Sequence, residues 1–477
     1  MKLKRVMIAA PKSGSGKTTI TCALLQLLKD SGFSVASYKC GPDYIDPMFH
    51  KKVLGIPSKN LDTFFTDAET TKRLFLQGRK EDDFAVLEGV MGLYDGLGGV
   101  REEGSSYHLA QVTETPIILV VDSKGMGRSI VAQIAGFLAY DTDHLIKGII
   151  LNRMSKPYYD ILKPVIEEEL KISVLGYFPE KKSMRLESRH LGLQMPDELQ
   201  EIQSHLKEIA EELLKTVSLD KIVEITGEAE EIVPITKFTK STNELSEGAT
   251  FTGMSGGNQS GETGEPHPVI AVAKDEAFCF YYEDNLRLLE EFGAKLTYFS
   301  PVHDVALPEE CAGILLGGGY PELYVKELSS NEPMRNAMKQ AFASGVPMVA
   351  ECGGFMYLHE SITDLDRNTY PMAGVLTGTC DYKGKLVRFG YINIEEDAAD
   401  FLPEGEIIRA HEFHYYDSTD NGASCTAKKP LTGRTYPCIM SGETYWFGFP
   451  HLYYPSNPAF AENFVKKARA YKGKRNF

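Results

Sequence analysis

The chain has 477 residues, of which 43% are hydrophobic and 25% charged, which is enough for two or three domains with buried cores. Its formal net charge of -15 argues against a general nucleic-acid-binding protein, because such proteins need clustered Lys and Arg to displace counterions. The eight cysteines form no CxxC pair, and no run of about 18 apolar residues occurs. We therefore expect reduced thiols, a cytoplasmic location and no membrane span.

The first half of the chain alternates short apolar runs with helical patterns. This alternation predicts an α/β domain with a doubly wound parallel sheet, assigned to residues 1–238. The predicted strands are 6–10, 34–38, 84–88, 117–121, 148–151 and 174–177.

A phosphate loop, APKSGSGKTT (10–19), follows the first predicted strand and precedes a helical pattern. Its glycines let backbone N–H groups surround an anion, while Lys17 can reach the outer phosphates. Pro11 stands where the usual pattern has Gly, and a second lysine precedes Lys17 by five residues, as in phosphate-loop proteins such as partitioning ATPases and dethiobiotin synthetase. The loop predicts ATP binding by Lys12, Gly14, Gly16, Lys17, Thr18 and Thr19.

Acidic residues follow two other strands, at the sheet edge where doubly wound folds bind ligands. Glu88 ends the strand 84–88 and is predicted to hold Mg²⁺ together with the Thr18 hydroxyl. Asp43 and Asp46 in segment 39–47, and Asp95 in segment 86–96, add carboxylates. These three either hold metal, orient a substrate or form turns.

Polar residues also follow the next two strands. Asp122 and Arg128 lie in DSKGMGRS (122–129), where a phosphate-facing or gating loop is expected. Asn152 and Arg153 follow strand 148–151 and are predicted to meet the adenine ring, so Asn152 joins the ATP-binding set.

From residue 239 to 267 the chain is rich in Ser, Gly, Thr, Glu and Asn, which predicts a flexible linker. The alternation then resumes, and a second α/β domain is assigned to residues 268–477. Its predicted strands are 269–273, 295–299, 313–316 and 347–351, and the basic C-terminal stretch is predicted to form a last helix with a tail.

A cysteine stands in a strand–turn–helix context in the second domain. Small residues around Cys352 permit a tight turn that projects a nucleophile, and the following helix is expected to lower the thiol pKa. Gly318 and Gly319, after the preceding strand, can supply backbone N–H groups to an oxyanion hole. The base is one of several histidines, which position alone does not distinguish.

Six further motifs run through essentially the whole chain: GPDYIDPMFH (41–50), EGVMGLYDG (88–96), RHLGL (189–193), GGGYPE (317–322), ECGGFMYL (351–358) and HEFHY (411–415). In this order they resemble the cobyrinic acid a,c-diamide synthase family, which is ATP-dependent and glutamine-hydrolysing. The resemblance implies an N-terminal domain similar to dethiobiotin synthetase and a C-terminal domain similar to class I glutamine amidotransferases.

The resemblance also implies the glutaminase residues. Cys352 would form the glutamyl thioester, and His451, in FPHLYYPSNP (449–458), would be its base. Class I enzymes commonly place Glu two residues after this His, whereas Tyr453 stands here, so the third member is absent or comes from elsewhere. His411 and His414 remain rivals for substrate contact.

The implied reaction amidates the a and c side-chain carboxylates of cobyrinic acid in cobalamin biosynthesis, through acyl phosphates and glutamine-derived ammonia. The expected partners are a tetrapyrrole, glutamine and ATP with Mg²⁺, without nucleic acid or membrane, and a homodimer is left open. The substrate carboxylate site implied is Asp43, Tyr44, Ile45, Asp46 and Asp95.

Other functions fit parts of the pattern. Related synthases act on nickel-sirohydrochlorin or metal-free hydrogenobyrinic acid and share the motifs, whereas cobyric acid synthase fits segment 88–96 less well. A partitioning-type ATPase switch fits the phosphate loop but leaves Cys352 unexplained. If the second domain were a non-catalytic interaction module, Cys352→Ser would leave glutamine-dependent function intact.

Overall fold

The computed structural model describes residues 1, 3–81, 83–181, 196–227, 229, 231–232 and 267–475. The predicted linker, except His267, and the RHLGL motif lie outside the described residues. The assigned domain boundaries therefore remain predictions.

The first half forms a parallel sheet whose strands are buried almost throughout, which explains their continuous apolar runs. Six predicted strands are confirmed within two residues at each end; Ser58–Leu61 was missed because its sequence, SKNL, has one apolar residue. The strands are β1 (Lys4–Ala9), β2 (Val35–Cys40), β3 (Ser58–Leu61), β4 (Phe84–Glu88), β5 (Ile117–Asp122), β6 (Ile146–Asn152) and β7 (Ser173–Phe178).

Helices flank both faces of this sheet, whose described strands run in the order β3-β2-β4-β1-β5-β6-β7. The central position of β1 and β4 brings the phosphate loop and Glu88 to the same edge. The helices are α1 (Lys17–Asp30), α2 (Ile45–Lys52), α3 (Ala68–Leu76), α4 (Ser106–Val112), α5 (Ser129–Tyr140), α6 (Lys156–Leu170), α7 (Pro196–Thr216) and α8 (Leu219–Gly227).

The second half begins as an α/β unit and continues into antiparallel strands. Its four predicted strands and the predicted last helix are confirmed. The strands at 278–280 and 318–319 and those after residue 360 were not predicted, since most of them are short or alternate apolar with polar residues. The strands are β8 (Val269–Ala273), β9 (Phe278–Phe280), β10 (Lys295–Phe299), β11 (Cys311–Leu316), β12 (Gly318–Gly319), β13 (Met348–Glu351), β14 (Ser361–Thr363), β15 (Thr369–Pro371), β16 (Thr379–Tyr382), β17 (Arg388–Glu396), β18 (Ile407–His414), β19 (Tyr416–Ser418), β20 (Cys425–Lys428), β21 (Thr435–Cys438), β22 (Met440–Gly442), β23 (Tyr445–Gly448) and β24 (His451–Leu452).

Two sheets of this half position the site. One has the order β10-β8-β11-β13-β23-β22 and is parallel except at β22, and the other is antiparallel with the order β21-β20-β17-β18-β24. The helices are α9 (Glu283–Glu291), α10 (Val325–Ser330), α11 (Glu332–Ala343), α12 (Gly353–Leu358) and α13 (Pro458–Arg475). The α/β fold with two sheet domains is thus confirmed.

The two halves pack against each other through buried polar and aromatic contacts. Lys59 Nζ lies 3.1 Å from Asp284 Oδ1, and the Tyr391 hydroxyl donates to Asp62 Oδ2 at 2.7 Å. The ring of Tyr44, from the first half, stacks on Phe280 of the second half, with the centroids 4.9 Å apart. Within the described residues, no helix combines the length and apolar character that crossing a bilayer requires.

Candidate active site

The phosphate loop is held in shape by a glycine that no other residue can replace. Gly16 has φ of 92°, which side-chain-bearing residues rarely adopt, and precedes α1 directly. A Cβ built on Gly16 would lie 2.1 Å from Asn152 Nδ2, which itself donates to the Ser15 carbonyl at 2.7 Å. Asn152 thus supports the loop from β6, while its predicted contact with adenine stays a prediction.

Lys17 lies buried at the start of α1. Its Nζ donates to the Met91 carbonyl at 2.5 Å. Burial, then the nearby Lys39 charge, lowers the pKa of Lys17 to about 8. A phosphate at this loop would add negative charge beside the ammonium and would raise this pKa.

A compact polar network joins the phosphate loop to β2 and β4. The Thr18 hydroxyl donates to Glu88 Oε1 at 2.6 Å, and Lys39 Nζ donates to the same oxygen at 3.1 Å and to Asp46 Oδ2 at 2.5 Å. Burial, and next the Asp46 charge, raises the pKa of Glu88 to about 7. The predicted residues Thr18, Glu88 and Asp46 therefore meet in one network with Lys39, for which no role was predicted.

Lys39 is the centre of this network. Burial alone would lower its pKa, but Glu88, Asp46 and Asp43 together raise it well above the ordinary value. Lys39 is the penultimate residue of the buried strand β2, so a charged residue near the carboxyl end of a buried strand was the signal that could have identified it.

The two other predicted carboxylates shape loops. Asp43 accepts hydrogen bonds from the backbone N–H of Ile45 at 2.8 Å and of Asp46 at 3.4 Å, at the start of α2. Asp95 accepts from Gly92 N at 2.9 Å, in the loop after β4. Both acids therefore order the segments beside the network, and the Asp43 carboxylate still lies 3.8 Å from the Lys39 ammonium.

The predicted elbow is present around Cys352. The residue has φ of 47°, between the end of β13 and the start of α12. Burial, then Glu322, raises the thiol pKa, which is opposite to the lowering expected from the six-residue helix. A neighbouring base must therefore remove the thiol proton before attack.

His451 lies beside the glycine strand that faces this elbow. A Cβ on Gly318 would lie 2.3 Å from His451 Cε1, and one on Gly353 would lie 3.1 Å from Gly319 N. The strand β12 thus lies close to both the cysteine turn and the histidine ring. Burial, reinforced by His411 and His414, lowers the pKa of His451 to about 3, so the imidazole is neutral and can accept a proton.

An acid from an unexpected position faces His451. Glu351, the residue before the nucleophile, has Oε2 4.0 Å from His451 Nδ1, which lacks a hydrogen-bond partner among the described residues. Burial raises the pKa of Glu351 to about 8, and its Oε1 accepts from the Tyr454 hydroxyl at 3.3 Å. Tyr453 instead points to Asp284, with a hydroxyl-to-carboxylate distance of 3.0 Å.

A second acid, Glu322, lies after the glycine strand. It lines the same cavity as Cys352, and burial raises its pKa to about 7. No role was predicted for Glu322 from its motif GGGYPE. An acid that follows three glycines near the predicted nucleophile was the signal that could have identified it.

One cavity of about 1050 Å³ joins the two halves of the site. Its lining includes Asp43, Tyr44 and Ile45 from the first domain and both Cys352 and His451 from the second. The Tyr44 ring stands between these groups, 5.3 Å from the His451 ring. Predicted residues from distant parts of the chain therefore share one space.

The remaining predicted residues lie at the edges of this arrangement. His411 and His414 line the cavity, and His414 stacks on Phe449 with the ring centroids 4.0 Å apart. Arg153 Nε donates to Asp122 Oδ1 at 2.7 Å and its Nη2 to the Gly14 carbonyl at 3.1 Å, whereas Arg128 pairs with the exposed Glu169. The contacts of Asp122 and Arg153 tie the sheet edge to the phosphate loop.

Lys12 and Thr19 complete the predicted ATP-binding set. The Lys12 side chain is exposed, while its carbonyl accepts from the Ser15 hydroxyl at 2.9 Å. Thr19 is partly buried in the first turn of α1. Their contacts with ATP stay predictions.

Comparisons with known proteins identify two family matches along the chain. Residues 6–193 match the CobQ/CobB/MinD/ParA nucleotide binding domain, and residues 269–434 match the CobB/CobQ-like glutamine amidotransferase domain. A cobyrinate a,c-diamide synthase from Dehalococcoides mccartyi strain CBDB1 is 37% identical, covering 98% of each chain. Proteins of the same name from Caldanaerobacter subterraneus and Thermoplasma volcanium are 37% and 36% identical, covering 94% of both chains in the first case and 100% of this chain and 99% of the relative in the second.

Proposed function

The chain belongs to the cobyrinate a,c-diamide synthase family, and from its site we propose that it amidates the a and c carboxylates of cobyrinic acid with ATP and glutamine. The observation that carries the proposal is the shared cavity, since it holds the glutaminase pair Cys352 and His451 and also opens on the Asp43–Ile45 segment beside the phosphate loop. Nitrogen released at one end can reach a carboxylate activated at the other without leaving the protein.

The glutaminase stage uses the neutral imidazole. His451 takes the thiol proton as Cys352 Sγ attacks the side-chain amide carbon of glutamine, and it returns the proton to the departing ammonia. Water then hydrolyses the thioester to glutamate and regenerates the thiol. Backbone N–H groups at Gly318 and Gly319 are the proposed oxyanion donors, since this strand lies close to the cysteine turn and to the His451 ring.

Glu351 is the proposed third member of this site. Its carboxylate is placed to accept from Nδ1 when His451 becomes imidazolium, because the two atoms lie 4.0 Å apart and Nδ1 has no other partner among the described residues. It would thereby orient the imidazole and stabilise its positive charge.

Glu322 is the proposed recognition group for the glutamine α-ammonium. Glu322 lines the cavity together with Cys352, and burial outweighs its own backbone N–H in setting the pKa of its carboxyl group. An ammonium placed there would restore the charged form of an acid whose pKa burial raises to about 7.

The synthetase stage takes place at the polar network. A substrate carboxylate oxygen attacks the γ-phosphorus of ATP, ADP leaves, and ammonia then displaces phosphate from the acyl phosphate. Lys17 would bind the outer phosphates after leaving the Met91 carbonyl, with Lys12 beside it. Asp43, Tyr44, Ile45, Asp46 and Asp95 are proposed to shape the carboxylate site.

The residues present fit Mg²⁺. Thr18 and Glu88 offer a hydroxyl and a carboxylate 2.6 Å apart, and Glu88 Oε2 has no hydrogen-bond partner among the described residues. Within the described residues, no group of three or more His, Cys, Asp or Glu can hold a metal, so phosphate oxygens and water would complete the shell. The ion would neutralise charge on the phosphoryl group that is transferred.

The domain division at 1–238 and 268–477, a homodimer and a cytoplasmic location remain proposals. The eight cysteines, all of them described residues, form no disulfide with one another, as expected in a reducing compartment.

The test is incubation of the purified protein with MgATP, glutamine and cobyrinic acid, followed by mass spectrometry. Two successive replacements of a carboxyl hydroxyl by an amino group are expected. Nickel-sirohydrochlorin and hydrogenobyrinic acid are assayed in parallel, and turnover of one of these alone would reassign the substrate. No amidation of any of the three would overturn the proposed function.

A further inference from the structure

One face of the antiparallel sheet in the second domain carries aromatic side chains that the glutaminase chemistry does not use. Burial alternates along β17 and β18, so that Ile392, Ile394, Ile408 and Ala410 point into the core. The opposite face presents rings from paired residues, because Phe389 lies opposite Phe413 and Tyr391 opposite His411. We call Phe389, Tyr391, His411 and Phe413 the aromatic face.

These rings form a continuous surface. The centroids of Phe389 and Phe413 are 5.7 Å apart, and those of Tyr391 and His411 are 5.5 Å apart. Phe389 and Phe413 keep 58% and 49% of their surface exposed, although rings of this size are usually buried. Exposed apolar surface of this kind, concentrated in one patch, indicates a binding site.

The aromatic face is one wall of the cavity that joins the two reactive ends. The cavity lining also includes Met91, which is 40% exposed, and Leu97 from the first domain. Leu431 of the second domain lies beside Gly98 of the first, where an added Cβ would lie 2.3 Å from Leu431 Cδ2. The site is therefore an apolar slot lined by aromatic side chains of the second domain and by aliphatic side chains of both domains.

The size of the slot and the continuity of its apolar lining indicate which substrate binds there. ATP phosphates belong at the loop before α1, and glutamine belongs beside Cys352, so the apolar slot remains for the acid that is amidated. A volume of about 1050 Å³ is large for a small-molecule site and suits a macrocycle. A ring system with apolar faces and carboxylates at its rim would pack its faces on the slot walls and direct one carboxylate to Asp43–Ile45.

We infer that the aromatic face binds one face of the tetrapyrrole macrocycle, so that the amidotransferase domain itself holds the acid substrate for the synthetase domain. This inference rests on the proposed function and adds specificity-determining residues to it. Tyr391 also links the wall to the first domain through its hydrogen bond to Asp62, so the slot depends on both domains being packed together.

The test replaces the two exposed phenylalanines in the full chain and measures steady-state amidation of cobyrinic acid. Phe389→Ala with Phe413→Ala should raise KM for cobyrinic acid about tenfold or more, with KM for ATP and glutamine unchanged, because only the macrocycle loses its stacking partners. Restoring rings with Phe389→Tyr and Phe413→Tyr should return KM to near the native value. Leu365→Ala is the control, since Leu365 is also 58% exposed but lies outside the cavity.

The outcomes separate the inference from the function on which it rests. If the native protein amidates cobyrinic acid and the double alanine variant has an unchanged KM for it, the inference is overturned while the function stands. A parallel rise in KM for ATP and glutamine would also overturn it, by showing a general structural defect. Inertness of the native protein towards cobyrinic acid would overturn the proposed function and the inference together.

Discussion

The two ends of the cavity differ in the charge of their side chains. At the phosphate-loop end, Lys39 lies among three carboxylates and most polar atoms are paired before any ligand binds. At the glutaminase end, burial favours the neutral forms of Cys352, His451 and Glu351, and His451 Nδ1 lacks a partner in the described residues. The phosphate-loop end, which is proposed to bind ATP and Mg²⁺, contains ionised side chains. The glutaminase end, which is proposed to transfer one proton, contains side chains that stay neutral until the substrate binds.

The largest effect should come from Cys352→Ser. Glutamine-dependent amidation should fall about 1,000-fold or more, because the nucleophile is lost, while amidation with added ammonium salt persists. The two rates are compared at saturating ATP and cobyrinic acid. Cys311→Ser, a buried cysteine outside the cavity, is the matched control. Equal loss with both nitrogen sources would contradict the division of labour between the two ends.

Glu88→Gln should impair the phosphate-loop end of the cavity. Amidation should fall by roughly 100-fold or more with glutamine and with ammonia alike, because a ligand for the ion that stabilises the phosphoryl transition state is lost. Release of glutamate from glutamine, measured without the acid substrate, should be unchanged from the native basal rate. Glu114→Gln, in the same domain and outside the network, is the control. If only the release of glutamate were lost, Glu88 would act at the glutaminase end and its proposed role at the phosphate-loop end would be wrong.

Glu351→Gln tests the proposed third member of the glutaminase site. We expect glutaminase activity to fall about 10- to 100-fold, less than the ~10⁴-fold known for an acid bonded directly to a catalytic histidine, because the distance here is 4.0 Å. Ammonia-dependent amidation should not change. Glu360→Gln serves as the control on the same domain.

The pH profile distinguishes an electrostatic role from a structural one. Since burial raises the pKa of Glu351 to about 8, its carboxylate ionises as the pH rises through that value, and native glutaminase activity should increase up to about pH 8. In Glu351→Gln this limb should disappear. Persistence of the same limb in the variant would assign it to another group and remove Glu351 from the proposed site.

The smallest effect concerns stability and comes from His451. Its folded pKa of about 3 lies below the ordinary value of 6.5, so below pH 6.5 the unfolded chain binds a proton that the folded protein excludes. Relative to His451→Gln, the native protein should therefore lose about 1.4 kcal/mol of unfolding free energy between pH 7.5 and 5.5. The fluorescence of buried Trp446, the single tryptophan, reports unfolding of this domain.

The exposed Leu365 provides the comparison for that measurement. Leu365→Ala changes no ionisable group, so it should shift the free energy of unfolding equally at both pH values. If His451→Gln behaved in the same way, the neutral, desolvated character assigned to the glutaminase end would be wrong.

Local sequence patterns predicted most of the parallel strands. Buried strands such as β4 and β5 are continuous apolar runs, and a phosphate loop must follow one of them. The strand β3 and the strands of the second half after residue 360 were missed, because a short or half-exposed strand draws its stability from neighbours that the local sequence does not reveal.

The predicted site residues were found through motifs with strict backbone demands. Gly16 and Cys352 mark conformations that few sequences permit, and Glu88 follows from its place at a strand end. Lys39, Glu351 and Glu322 were missed. The strand end near Lys39 and the glycine run before Glu322 were local signals, but such a position does not show which distant groups a charged side chain contacts.

The sequence by itself determined the two types of chemistry, since a phosphate loop and a cysteine elbow each depend on a few consecutive residues and their backbone geometry. Only the tertiary structure decided which distant groups meet. It placed Glu351 near His451, Lys39 among the acids of the phosphate-loop end, and the aromatic face in the same cavity as Met91. Those contacts arise from the packing of two domains, and pairings between residues hundreds of positions apart leave no periodic trace in the sequence.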